Sequence, residues 1–398
     1  MPGKERVSLI DCEDYDPERV YAAVRQALAP LGGIETYVKP GQRVLLQVNL
    51  ISARPPEDAV CTHPRVVRAV CRLVREAGGI PAVGGSTGGC FTFQRTDRSF
   101  RVSGITAAAE AEGARVVNYD EVGGTDVATN GKFMSTVHIA KPVLETDVLI
   151  TLPKMKTHTL TLLTGAVKNH MGTLPGMRKM ELHRRFSDPS LFGEAMLDVY
   201  AAAPPRLAVM DAVQGMDGEG PTQGHARQVG LIAASADGVA LDAVMCDICG
   251  LDPKWVPTLV AARERGFGTA ALDGIEVVGT ALATARGRTR PFSYPQTYRI
   301  VTLPWLPQPV VGLVKKLSSS PLPYVITEKC NGCGTCAKNC PAQAATVVEK
   351  KARIQTDSCI ACFCCQEMCE QGAIGIKMPL MFRRMNSAEE KIQAREGL

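Results

Sequence analysis

Eight cysteines near the end of the chain form two runs with the same spacing. In both runs, two, two and three residues separate successive thiols. The thiols are, in chain order, Cys330, Cys333, Cys336, Cys340, Cys359, Cys362, Cys365 and Cys369. Three thiols placed so close together can reach three corners of one iron–sulfur cube, while the fourth is turned towards the cube of the other run. The spacing therefore predicts two [4Fe–4S] clusters.

The same rule predicts which thiols bind each cluster. The first cluster takes Cys330, Cys333, Cys336 and Cys369, and the second takes Cys359, Cys362, Cys365 and Cys340. An extra thiol, Cys364, stands beside a ligand of the second run and leaves that assignment open. Zinc sites usually show pairs of ligands rather than two such quartets, and a disulfide framework suits a small secreted domain.

Residues 325–380, which contain both runs, resemble a bacterial two-cluster ferredoxin. Pro341 directly follows the first run, whereas Glu370 stands where the second run usually has proline. The resemblance implies a small ferredoxin-like α+β domain through which electrons pass from cluster to cluster.

A second group of polar residues lies between positions 153 and 185, where seven Lys or Arg residues accompany one acid, Glu181. Three of the six histidines of the chain, His158, His170 and His183, also lie here. Cations, hydroxyls and amide groups are suited to bind a carboxylate or a phosphate. The alternative is a solvated basic loop with turn-forming glycines.

We assign this stretch to an anionic small-molecule substrate. The expected binding residues are Lys154, Lys156, Thr157, Lys168 and Asn169. Either His158 or His183 is the expected proton donor, because imidazole titrates near neutral pH.

A glycine-rich loop that begins at Asp211 and reaches Pro221 forms a second candidate wall of the same site. We assign Asp211 to the site. The acids of the loop could bind a cation or face Lys154 and Lys168. They could equally form turns, because Asp and Gly favour turns for local reasons.

Strand-like and helix-like patterns alternate along the first 288 residues. Such alternation predicts an α/β domain with a mostly parallel sheet flanked by helices. The basic stretch follows a predicted strand at 147–152, so it would lie at the carboxyl end of the sheet, where open α/β sheets bind ligands.

The composition predicts four segments. Residues 1–288 form the α/β domain, and 289–322 form a proline-rich connector in which Pro309–Leu317 fits a short helix. Residues 323–380 form the ferredoxin-like domain, and 381–398 form a charged tail.

The 398 residues are 45% hydrophobic and 21% charged, which is ordinary for a globular protein. No apolar run reaches the ~18 residues that a membrane span needs, and the start has no apolar signal core. The net charge of +5 is too small to indicate nucleic-acid binding. We therefore expect a cytoplasmic protein without a transmembrane segment or a nucleic-acid partner.

Several runs of the first domain resemble the family known as domain of unknown function 362. They are Thr62-His63-Pro64, Pro153-Lys-Met-Lys-Thr-His158, Gly165-Ala-Val-Lys-Asn169, His183, and Asp211 with Gly218-Glu-Gly-Pro221. The resemblance covers about residues 40–250. The resemblance implies an α/β domain that takes part in redox reactions, and it indicates no substrate. Gly84-Gly85 stand where this family is expected to have a Gly-Asp-Ser type of loop.

Three functions fit these patterns. The first is an iron–sulfur oxidoreductase that takes electrons from a redox partner protein or a soluble donor and passes them to the anion. The second is an electron carrier whose first domain docks a partner. The third is a binding or assembly protein whose clusters are structural or sensory. A buried basic site distinguishes the first from the second, because a carrier needs none.

Overall fold

The computed structural model describes residues 4–89, 92–298 and 321–377. Its largest element is a ten-stranded sheet. The strands up to residue 298 are β1 (Glu5–Asp11), β2 (Arg43–Val48), β3 (Ile80–Gly85), β4 (Arg115–Asn118), β5 (Gly124–Ala128), β6 (Thr136–Ala140), β7 (Val148–Leu152), β8 (Lys154–His158), β9 (Leu162–Leu163), β10 (Leu207–Asp217), β11 (His225–Ser235) and β12 (Ile275–Gly279).

The strand order of the main path is β12-β1-β11-β10-β7-β2-β3-β4, with β8 pairing to β10 and to β9. Within the described sheet, three pairs of strands are antiparallel. They are β1 with β11, β10 with β11, and β8 with β9. The remaining pairs are parallel. The predicted α/β fold with a mostly parallel sheet is confirmed.

Helices cover both faces of the sheet. In the α/β domain they are α1 (Pro17–Leu28), α2 (Ile34–Tyr37), α3 (Pro64–Glu76), α4 (Thr92–Val102), α5 (Ile105–Glu110), α6 (Tyr119–Val122), α7 (Lys141–Glu145), α8 (Gly165–Asn169), α9 (Arg178–Arg185), α10 (Pro189–Ala202), α11 (Gly238–Ile248), α12 (Pro257–Arg265) and α13 (Leu282–Arg286). Strand β10 has apolar partners on both faces, because Leu207 and Val209 join one core, and Ala208 and Met210 join the other. Burial on both faces is typical of strands in such a sheet.

The ferredoxin-like region contains two short antiparallel pairs. They are formed by β13 (Leu322–Val325) with β16 (Ile374–Lys377), and by β14 (Ala345–Val348) with β15 (Lys351–Ile354). Two one-turn helices, α14 (Thr335–Lys338) and α15 (Cys364–Glu367), carry cysteines of the two runs. This arrangement confirms the predicted small α+β domain.

The basic stretch is more regular than its polar sequence indicates. Strand β8 is fully buried although it contains two lysines and a histidine, so apolar periodicity does not reveal it. Helix α4 also has a largely polar sequence, so apolar periodicity does not reveal it either. The helix expected at Pro309–Leu317 and the charged tail at 381–398 lie outside the described residues.

A substitution of Asp198, on α10, tests the packing around the β5–β6 hairpin. Its buried carboxylate accepts hydrogen bonds from the backbone N–H groups of Lys132, Phe133 and Met134, and from Arg265 at 2.7 Å. We expect Asp198→Ala to lower the free energy of unfolding by about 3–5 kcal/mol, because it leaves three backbone donors unpaired and removes the closer of the two carboxylates that pair with Arg265, the other being Glu194 at 3.5 Å.

Chemical denaturation monitored by circular dichroism measures this change. The control is Glu276→Ala, which removes an exposed ion pair with Arg6 and should cost less than about 1 kcal/mol. Equal effects for the two variants would contradict the role given to Asp198.

Candidate functional site

The first predicted quartet surrounds one cavity. Cys330, Cys333, Cys336 and Cys369 all line it, although the last comes from a separate part of the chain. The backbone N–H groups of Ala352 and Ala373 approach the sulfurs of Cys330 and Cys369 at 3.4 and 3.3 Å. Four thiols around a cavity, with N–H groups aimed at the sulfurs, fit a [4Fe–4S] cluster.

The second predicted quartet is also brought together. Burial, followed by the charges of Cys362, Cys359, Cys336 and Cys340, raises the pKa of the Cys365 thiol well above its ordinary value. Such mutual repulsion is relieved when the thiolates bind a metal cluster. The backbone N–H of Ala344 approaches the Cys340 sulfur at 3.2 Å, as in the first quartet.

A site for a single metal ion would differ from these two cluster sites. The described part of the chain contains no group of three or more His, Cys, Asp or Glu side chains that could hold one metal ion. The loop acids that were candidates for a cation have other partners. Asp217 accepts from the backbone N–H of Ser293 at 3.1 Å, and Glu219 accepts from that of Gln296 at 2.8 Å.

Lys154 and Asp211 form a buried ion pair at the junction of β8 and β10. The Lys154 ammonium donates to Asp211 and to the Tyr15 hydroxyl, both at 2.8 Å. Tyr15 in turn donates to Asp211 at 2.8 Å and stacks on His63, with ring centroids 3.4 Å apart. The charge of Lys154 is therefore matched within the protein.

Lys156 and Thr157 bind the backbone of the glycine-rich loop. Lys156 donates to the carbonyls of Val60 and Pro221, and Thr157 donates to the carbonyl of Gly218 at 2.9 Å. Burial is the main cause that lowers the pKa of Lys156 to about 7. The lysine therefore contributes a titratable positive charge close to neutral pH.

Asn169 connects the ends of two sheet strands. Its amide donates to Thr151 at 2.9 Å and to the Gln47 carbonyl at 3.3 Å, and it accepts from Asn49 at 3.0 Å. His170, which follows it, lies within 3.1 Å of the Ala203 carbonyl. These contacts stabilise the framework around the site.

Lys168, His158 and His183 are buried together with a carboxylate from the ferredoxin-like region, Glu367. The pKa of Glu367 is raised by burial against the opposing effects of Lys168, Lys156 and Lys179. His158 Nε2 lies 3.2 Å from Glu367 Oε1 but is not aligned for a hydrogen bond. The term "interdomain site" below denotes Lys156, His158, Lys168, Lys179, His183 and Glu367.

Both histidines of the interdomain site are neutral at pH 7. Burial, with a further effect of Lys168, lowers the pKa of His183 to about 3. The same causes, burial first, lower the pKa of His158 well below its ordinary value. His158 Nδ1 accepts from the backbone N–H of Leu160 at 3.0 Å, so Nε2 carries the proton and faces Glu367. Burial thus favours the neutral form of both imidazoles, and the proton-donor role of His158 or His183 stays a prediction.

Several polar atoms of the interdomain site lack hydrogen-bond partners in the described structure. They are His158 Nε2, both ring nitrogens of His183, and Glu367 Oε1. Among the described residues, no ammonium lies within 4.0 Å of the Glu367 carboxylate. Because unpaired buried polar groups are costly, these unpaired atoms favour the binding of a small polar molecule.

The loop of the second quartet lies against the interdomain site. Met180 of α9 packs against Cys362 and Cys364, and Gln223 donates to the Gln366 carbonyl at 3.0 Å. Cys364 thus lies in an apolar contact between the two domains. The second cluster is therefore the one expected to approach the buried lysines.

Glu370, which replaces the expected proline, contributes to the same domain contact. Its carboxylate pairs with Arg98 of α4 at 2.8 Å. Nearby, the Arg95 guanidinium donates to the carbonyl of Met368 at 3.3 Å. The departure from the ferredoxin pattern thus provides a polar contact with the α/β domain.

Comparisons with known proteins support both halves of this architecture. The family model described as "Domain of unknown function (DUF362)" matches residues 44–247. The chain belongs to the DUF362 family. A second model, described as "4Fe-4S dicluster domain", matches residues 322–370. This DUF362 protein therefore carries a 4Fe–4S-binding domain of the electron-transfer type.

One relative of this DUF362 protein is named "Thylakoid-associated protein sll1697", from Synechocystis sp. It is 36% identical over 268 residues, which are 67% of this chain and 81% of that protein. The solved structure of the lactate racemase apoprotein from Thermoanaerobacterium thermosaccharolyticum aligns with a TM-score of 0.41 and 12% identity over 63% of this chain and 58% of that one. A Thermotoga maritima protein aligns with a TM-score of 0.33 and 10% identity over 52% of both chains.

Within the described ranges of this DUF362 protein, every helix is too short or too polar to cross a membrane. Its interdomain site contains two residues that were not predicted from the sequence, Lys179 and Glu367. Lys179 stands four positions before His183 on α9, so helical spacing could have placed the two on one face. Glu367 lies between two cluster ligands, and no local pattern connects it with the basic stretch.

Proposed function

We propose that this DUF362 protein is an oxidoreductase with two [4Fe–4S] clusters, which pass electrons to an anionic small molecule in the interdomain site. The observation that carries the proposal is the burial of Glu367 with three lysines, Lys156, Lys168 and Lys179, beside the second-cluster loop, although no described ammonium lies within 4.0 Å of its carboxylate. Anions are stabilised by fixed cations in a site that excludes water.

In this proposal, Lys168 holds the anion. It is almost fully buried, and its ammonium has no hydrogen bond within the described ranges, whereas Lys156 and Lys179 also bind backbone oxygens. The Nε2–H of His158 supplies a further donor to the ligand. Four other residues predicted from the sequence to bind the substrate orient the strands and loops around it instead. They are Lys154, Thr157, Asn169 and Asp211.

The clusters supply single electrons at low potential when bound. Cys333 is exposed, whereas Cys362 is buried against Met180. We therefore propose that a redox partner protein or a soluble donor delivers electrons at the first cluster, and that the second cluster serves the interdomain site. Free thiolates of this kind suit a reducing compartment such as the cytoplasm.

Anion binding should change one of the two EPR signals of the reduced protein. We expect acetate and inorganic phosphate to cause a saturable change in the signal of the second cluster, because the anion neutralises nearby ammonium groups. Burial lowers the pKa of both Lys156 and Lys179 to about 7. Since lysine loses its charge above its pKa, anion affinity should fall between about pH 6 and about pH 9. Signals that respond to neither anion would contradict the proposal.

Metal content tests the number of clusters. Two complete quartets imply about eight iron and about eight sulfide per chain. We expect this content after anaerobic purification, measured by iron and sulfide assays. A reproducible content of about four iron would mean that one quartet holds no [4Fe–4S] cluster.

The second candidate function is an electron carrier. It is favoured by the presence of Glu367 among the lysines. Its carboxylate provides an internal counter-charge to the lysines, so the site does not require a substrate to offset their positive charge. A carrier would show both EPR signals unchanged by anions and would exchange electrons only with another protein.

A further inference from the structure

We propose that the interdomain site selects small carboxylates that carry a hydrogen-bond donor next to the carboxylate, as in 2-hydroxy acids. This inference rests on the proposed function, because it names the class of ligand for the same site. It follows from the opposite hydrogen-bonding needs of Glu367 and Lys168.

Glu367 provides an acceptor that the protein leaves unpaired. Its Oε1 is buried and accepts no hydrogen bond from any described residue. His158 Nε2 is 3.2 Å away but is not aligned for a hydrogen bond. Because an unsatisfied buried acceptor is costly, a ligand that donates a hydrogen bond to Glu367 gains affinity.

Lys168, by contrast, is a hydrogen-bond donor that needs an acceptor. Its side chain is almost fully buried, and within the described residues its ammonium has neither a hydrogen bond nor an ion pair within 4.0 Å. Among the opposing charges, Glu367 acts most strongly on it. A ligand between the two therefore requires a carboxylate towards Lys168 and a donor towards Glu367.

A simple carboxylate meets only one of these needs. Acetate can bind Lys168, but it leaves Glu367 without a donor and adds a second negative charge beside it. Glycolate has the same carboxylate and a neighbouring hydroxyl that can donate to Glu367. One hydrogen bond to a charged acceptor corresponds to about tenfold in affinity, so glycolate should bind about tenfold more tightly than acetate.

Anaerobic isothermal titration calorimetry of the iron-loaded full chain with glycolate and with acetate tests this selectivity. Two variants remove the acceptor in steps. Glu367→Gln keeps an uncharged oxygen and should reduce the preference to about threefold, whereas Glu367→Met removes the acceptor and should abolish it. Should the Met variant fail to load clusters, the Gln variant alone decides the outcome.

Equal affinities of the wild-type protein for glycolate and acetate would overturn the selectivity and leave the anion site intact. A preference that persists unchanged in both Glu367 variants would also overturn it. If neither acid binds the wild-type protein, the proposed function fails together with this inference.

Discussion

Cys365→Ala is expected to lower the iron content from about eight to about four per chain, whereas Cys364→Ala leaves it unchanged. Cys365 is surrounded by the other thiols of its quartet, so the variant removes a cluster ligand. Cys364 belongs to the apolar cluster of Met180, and our assignment gives it to neither quartet. Because metal binding contributes to folding in such domains, Cys365→Ala should also destabilise the ferredoxin-like region.

Iron and sulfide assays, with EPR spectra of the reduced protein, measure this contrast. The two thiols are neighbours in the chain, so Cys364→Ala controls for local disturbance of α15. Loss of a cluster in Cys364→Ala combined with its retention in Cys365→Ala would show that the second quartet is assigned wrongly.

Lys168→Met is expected to weaken the binding of acetate and glycolate by about 100-fold while cluster content stays the same. The variant removes a buried charge that has no other hydrogen-bonding role in the described structure, and the loss of one partner of a buried charge pair is costly for binding. Anaerobic calorimetry measures the affinity, and the iron assay measures the cluster content.

The matched control is Arg178→Met. Arg178 belongs to the same basic stretch and loses the same charge, but it is exposed at the start of α9. We expect its effect on affinity to be less than about threefold. An equal loss in both variants would mean that the binding responds to net charge rather than to the interdomain site.

The cluster domain could be predicted from sequence because a cluster constrains its ligands locally. Three thiols must reach one small cube, so their spacing along the chain is short and regular. The cavity formed by Cys330, Cys333, Cys336 and Cys369 follows from that rule. The α/β sheet was predictable for a similar reason, since buried strands such as β2 and β7 are short and mostly apolar.

The interdomain site could be predicted only in part. Its lysines and histidines are evident from composition, but their partners come from distant parts of the chain. Asp211 matches the charge of Lys154, and Glu367 acts electrostatically on Lys168 from the other domain. Residue type alone therefore could not separate the lysines with internal partners from Lys168, which has none within the described residues.

The most direct test of the interdomain site is an anaerobic crystal structure of the iron-loaded protein grown with glycolate. We predict electron density for glycolate between Lys168 and Glu367, with its carboxylate at hydrogen-bond distance from the ammonium and the second cluster on the Met180 side. A structure in which Lys168 and Glu367 bind each other directly, with no ligand between them, would contradict the oxidoreductase proposal and favour the electron carrier.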